Sequence, residues 1–136
     1  MDDLDTKILA LLKEDARMPY TEMAKSLGLS EGAVRQRVRN LLESGVIRRF
    51  TVETADDNPR AIVFISTWSK VPVPAIAKRV SGLVGVESVM EVAGQFDISV
   101  VVSGPDVSSV NQCIDAMREV EGVQATNTLF VLRRWK

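Results

Sequence analysis

Arg35, Gln36 and Arg39 fall within five consecutive positions, with Gly32 just before them and Arg48-Arg49 shortly after. A guanidinium can donate two parallel hydrogen bonds to the edge of guanine, and a carboxamide can pair in the same bidentate way with adenine. On a helical wheel at 100° per residue, Gly32, Gln36, Arg39 and Glu43 lie opposite Val34, Val38 and Leu41, with Arg35 on the flank. The glycine permits close backbone approach to whatever that face meets. Ser30 stands where it caps the helix and can touch a phosphate, and Arg48 and Arg49 stand where they can hold a phosphate backbone. Arg37 lies nearer the apolar side, so a structural ion pair fits it better than a base contact. A solvated, charged face on any helical domain would have much the same composition. The surrounding elements must decide between the two.

The chain has no histidine and one cysteine, Cys113, among 136 residues. That removes the commonest general base and the commonest transition-metal ligand, and it leaves no internal disulfide. A reducing cytoplasm is the expected setting, and no resident cofactor is implied. No apolar run approaches the eighteen or so residues of a membrane span. The net charge of −1 hides a gradient, with nine basic residues against eight acidic in positions 1–50 and eight against ten in 51–136. Between Arg35 and Arg49 five arginines face Glu43 alone. A local basic patch of this kind can serve a duplex even when the whole chain is acidic.

Around the patch, Leu4, Ile8, Leu11 and Leu12 follow helical spacing and predict a helix over about 2–14. Pro19 interrupts it. Thr21 is the expected cap of a second helix ending near Leu27, and Gly28-Leu29-Ser30 the turn into a third helix that stops at Gly45. Two short helices joined by a tight glycine-containing turn make a helix-turn-helix. Val46–Glu53 reads as a strand or wing, and Asp56-Asp57-Asn58-Pro59 as a breaker within a linker over 51–60. Beyond it the expectation is strand 61–68, helix 74–80, strands 86–92 and 96–102 about a Gly94-Gln95 turn, helix 107–120 and strand 123–132. The order βαββαβ specifies a ferredoxin-like α+β domain over 61–136, a four-stranded antiparallel sheet with two helices on one face.

Several motifs in this order resemble the Lrp/AsnC (feast/famine) regulators. Leu4-Asp5 to Leu9 with Asp15-Ala16-Arg17 is similar to their opening "LDxxDxxIL…DAR", although Lys7 stands where an acid is commoner. Leu29-Ser30, Val34, Arg37-Val38, Leu41 and Gly45-Val46-Ile47 resemble "LSxxxVxxRVxxLxxxGVI". Ala93-Gly94-Gln95-Phe96-Asp97 resembles the family's "GxxD" hairpin, and Thr126-Asn127-Thr128 its "TxT" strand. The resemblance spans essentially the whole chain. It implies a transcription regulator that binds double-stranded DNA, a homodimer formed sheet to sheet, further assembly of dimers, and an effector, often an amino acid, bound between neighbouring dimers. It directs attention to Gly94, Gln95, Phe96, Asp97, Thr126 and Thr128 as the effector residues.

Their chemistry is compatible with that role. Asp97 can accept from an ammonium, while the N–H groups of the Gly94-Gln95 turn and the two threonine hydroxyls can donate to a carboxylate. Asp97 could equally satisfy its own hairpin, and the threonines could be there for β-propensity alone. Two other functions deserve comparison. A small hydrolase on a ferredoxin-like fold needs an arginine in a phosphate cradle, and Gly82-Leu83-Val84-Gly85 has none nearby; Cys113 has no histidine to activate it. A nucleoid-architectural protein without an effector would bind DNA with salt dependence but little sequence preference.

Overall fold

Asp2 closes the first turn of α1 (Asp3–Glu14) through a reciprocal capping box. Its carboxylate accepts from Asp5 N at 2.9 Å, and the Asp5 carboxylate accepts from Asp2 N at 3.1 Å. The computed structural model describes all residues, Met1–Lys136, and they divide into two units, 1–54 and 55–136. In the first unit α2 (Tyr20–Leu27) and α3 (Glu31–Glu43) follow α1. Gly28, at φ 67, turns the chain out of α2 in the left-handed conformation that favours glycine. Ser30 then caps α3, its Oγ accepting from Ala33 N at 3.1 Å. Ile8, Leu12, Met23, Ala24, Val34, Val38 and Leu41 form the buried core. The core stripe of α3 is the one the wheel specified.

Two expectations in this unit need correction. Thr21 is not the cap of α2: the helix already includes Tyr20, and Pro19 occupies the cap position with φ −59. A proline there loses nothing, because the first N–H groups of a helix have no intrahelical partner. Val46–Glu53 forms neither strand nor wing. Val46, Phe50 and Val52 are exposed, so these residues lack the buried face that would hold a strand in place.

The second unit runs β1 (Arg60–Thr67), α4 (Val73–Ser81), β2 (Val86–Glu91), β3 (Ile98–Ser103), α5 (Val107–Arg118) and β4 (Val123–Phe130). The sheet order is β2-β3-β1-β4, with all neighbours antiparallel, as the ferredoxin-like reading requires. Ala61, Val63, Ile65, Ile98, Val100 and Val102 pack with Ile76, Val80, Val110, Cys113, Ile114 and Met117. One sheet face is therefore covered by both helices. On the alternate positions Ile62, Phe64, Met90, Val101 and Leu129 share the other face.

Strand and helix ends move by a few residues from the sequence reading. Phe96 and Asp97 belong to the loop before β3, because the Asp97 carboxylate takes the backbone N–H of Thr67, which ladder pairing would otherwise use. Phe96 instead stacks its ring on Phe64, with centroids 5.1 Å apart. Helix α5 ends at Arg118 and β4 at Phe130, both two residues early.

Candidate functional site

Gly32, Arg35, Gln36, Arg39 and Asn40 are all exposed on α3, opposite its buried stripe. A Cβ added at Gly32 would meet nothing within 4 Å, so that surface is open. Ser30 Oγ spends a lone pair on its cap, and its proton remains available to a phosphate oxygen. Arg35 pairs with Glu31 and lies over the Tyr20 ring at 5.8 Å. Gln36 Nε2 donates to Asn40 Oδ1 at 2.9 Å. Asn40 escaped the sequence reading; its i, i+4 spacing from Gln36 was the available signal. Arg39, Arg48 and Arg49 are exposed and form no ion pair within the chain. Two arms of the outer face are thus held along the helix, and three guanidiniums stay uncommitted.

Arg37 has a different task. Its Nη1 donates to Asp2 at 2.8 and 3.0 Å and to Asp5 Oδ1 at 2.9 Å, clamping the start of α1 to α3. The guanidinium holds the Asp2 carboxyl below its usual value, and Asp2 and Asp5 raise Arg37. A carboxylate with a depressed folded pKa contributes stability above its unfolded value, and that contribution disappears as pH falls through the folded one. Acid should therefore weaken the first unit from about pH 4 downward. Substituting Arg37→Met is expected to flatten this acid limb, as followed by the helical circular dichroism of the full chain. An acid profile identical to wild type would mean that the clamp carries no stability.

The effector candidates fall in two places on the second unit. Gly94, at φ 141, and Gln95 form an exposed turn. Asp97 Oδ2 accepts from Thr67 N at 2.8 Å and from Thr67 Oγ1 at 3.0 Å, leaving Oδ1 to a ligand. Thr126 and Thr128 sit across β1 on the outer strand, opposite Ile65 and Val63 and on the helix-covered face. Asp97 N donates to Ile65 O on the other side of β1. Two strand spacings, about 9–10 Å, therefore separate Asp97 from Thr126. That is too far for both to hold the ammonium and carboxylate of one α-amino acid within one chain. Arg118 Nε donates to Thr126 Oγ1 at 3.0 Å, a contact the sequence reading did not include.

Residues 1–42 match the AsnC-type helix-turn-helix domain, and residues 60–136 match the Lrp/AsnC ligand binding domain. The chain belongs to the Lrp/AsnC family. It is 46% identical over 136 residues to the HTH-type transcriptional regulator LysM of Sulfurisphaera tokodaii, covering 99% of this chain and 97% of that one. The LysM regulator of Saccharolobus solfataricus is 43% identical, covering 99% and 96%. In fold it is similar to a Neisseria meningitidis transcriptional regulator described as an L-Met complex, with TM-score 0.80, 22% identity, and 100% and 92% of the two chains covered. As an Lrp/AsnC protein it is a DNA-binding transcription regulator with an effector domain, and its relatives are regulators, not enzymes. The Lrp/AsnC assignment also suits Cys113, whose thiol burial pushes up, away from the reactive thiolate. No helix is long and apolar enough to cross a membrane.

Proposed function

We propose that this regulator works in the cytoplasm, on the nucleoid, as a homodimer that lays its two α3 helices into successive major grooves of a pseudo-palindromic site. The observation that carries the reading is the outer face of α3, where open Gly32 adjoins exposed Arg35, Gln36 and Arg39 on a helix that Ser30 caps. Arg48 and Arg49, exposed and unpaired, supply sequence-independent phosphate contacts. An amino acid or related metabolite bound at the second domain changes DNA occupancy. The N. meningitidis regulator bound to L-methionine supports that ligand class. The hairpin Gly94, Gln95, Phe96 and Asp97 of one chain and Thr126 and Thr128 of another together enclose the effector, which accounts for their separation within a single chain. Higher assemblies of dimers follow from such sharing.

The test is binding-site selection with quantitative DNA titration. Gln36→Ala and Arg39→Ala are each expected to cost roughly 1–3 kcal/mol on specific duplex and to relax preference at one base position. Arg49→Ala should weaken all duplexes alike and reduce the salt slope by about one. Wild-type preference in both helix variants would remove α3's outer face from the reading. Competition of specific duplex against excess random duplex, with and without a mixture of amino acids, then separates a responsive regulator from a purely architectural protein.

A further inference from the structure

The last turn of α5 presents an arginine and an aspartate side by side at the threonine strand. Arg118 Nη1 lies 3.6 Å from Asp115 Oδ1, and Arg118 Nε donates to Thr126 Oγ1 at 3.0 Å. Both charged side chains remain largely exposed, at 58% and 73%. We propose that Arg118 and Asp115, with Thr126 and Thr128, form a subsite that reads the zwitterion of a free α-amino acid. Arg118 takes the α-carboxylate and Asp115 the α-ammonium. This rests on the reading that the second domain binds an amino acid, and it identifies the groups that recognise the part common to all of them.

Four features support it. A guanidinium has five N–H donors, and Thr126 uses only one of them, so Arg118 retains a fork for a carboxylate. Thr126 and Thr128 point to the same side of β4 and are half-buried, so their hydroxyls have a fixed direction beside Arg118. Strand β4 is the outer strand of the sheet, and an edge strand leaves alternate N–H groups unpaired on its open side. The subsite also adjoins the C-terminus of α5, where the helix carbonyls favour a cation and disfavour an anion. An ammonium beside Asp115 gains from that field. A carboxylate there needs Arg118.

The opposing possibility is an ordinary surface ion pair spaced i, i+3, which contributes little to stability. That weakness makes the test clean, because removing either charge should leave the fold intact. The free amino acid that gives the full chain its largest thermal shift among the twenty is titrated calorimetrically, alongside its carboxamide, which keeps the ammonium and lacks the carboxylate. Wild type should prefer the acid over the amide by roughly tenfold to a hundredfold. Arg118→Ala should abolish most of that preference while leaving the amide's affinity nearly unchanged, and Arg118→Lys should restore part of it. Asp115→Asn should weaken acid and amide together. A merely structural arginine would lower both ligands equally and preserve their ratio, and that result overturns the proposal while the effector reading stands. No thermal shift with any of the twenty would overturn the effector reading, and this subsite with it.

Discussion

Ile62→Lys is expected to convert the protein from dimer to monomer at micromolar concentration and to abolish tight binding to a two-half-site duplex. Ile62 lies on β1, an inner strand, opposite Val101 on β3 and Leu129 on β4. Phe64, Met90, Val101 and Leu129 extend that face, and Met90 and Leu129 are each 54% exposed. Neither helix of the unit covers it, since α4 and α5 both pack on the opposite side. Soluble monomers rarely leave a contiguous apolar patch of this kind open, and a second copy packed sheet to sheet would cover it. An unpaired lysine buried in such an interface costs about 3–5 kcal/mol, which corresponds to a dissociation constant raised by roughly two to four orders of magnitude. Sedimentation equilibrium measures the first effect and fluorescence anisotropy on labelled duplex the second. A wild-type chain that sediments as a stable monomer would sink both the dimer and the paired-helix DNA geometry.

The second large effect concerns the turn into β4. Gly122 has φ 99, a conformation that side chains disfavour, and a Cβ there would lie 2.6 Å from Ile76 Cδ1 and 2.8 Å from Val71 Cβ. Its carbonyl also accepts from Trp68 N at 2.8 Å, which ties the end of β1 to the start of β4. Gly122→Ala combines left-handed backbone strain with an overpacked core, for a cost of roughly 2–5 kcal/mol. Gly94→Ala is the control: φ is 141, but nothing lies within 4 Å, so only the backbone contribution applies. Both tryptophans, Trp68 and Trp135, belong to residues 55–136, so their fluorescence during urea unfolding reports on this unit. Equal midpoints for the Gly122 and Gly94 variants would show that the contacts at Gly122 yield without cost. Because Thr126 and Thr128 follow this turn directly, the same glycine fixes where the effector strand begins.

Much of this molecule was legible from spacing alone. The buried stripe and the outer face of α3 follow from 3.6-residue periodicity, which is a local property that packing did not alter at Val34, Val38 or Leu41. Ser30 and Gly28 act where their types require, one as a cap and one at positive φ. Alternation in β1 and β3 likewise identified two sets of side chains and the βαββαβ order identified the sheet. The sequence reading failed where a segment has no buried face, as at Val46–Glu53, and where proline replaced a side-chain cap, as at Pro19.

Partners distant in sequence were decided only by the tertiary structure. Periodicity tells a side chain's direction about its own axis and says nothing of what stands there. Arg37 could be placed near the apolar side, but its bonds to Asp2 and Asp5, 35 and 32 residues away, depend on how α1 crosses α3. Asp97 could be seen as a turn carboxylate, yet its engagement by Thr67, 30 residues earlier, required β1 and β3 to be neighbours. The contact of Arg118 with Thr126 needed α5 to dock beside the outer strand, and the face left bare needed both helices to choose the same side. Each of these is a consequence of strand order and helix docking, which are set by the burial of the whole core.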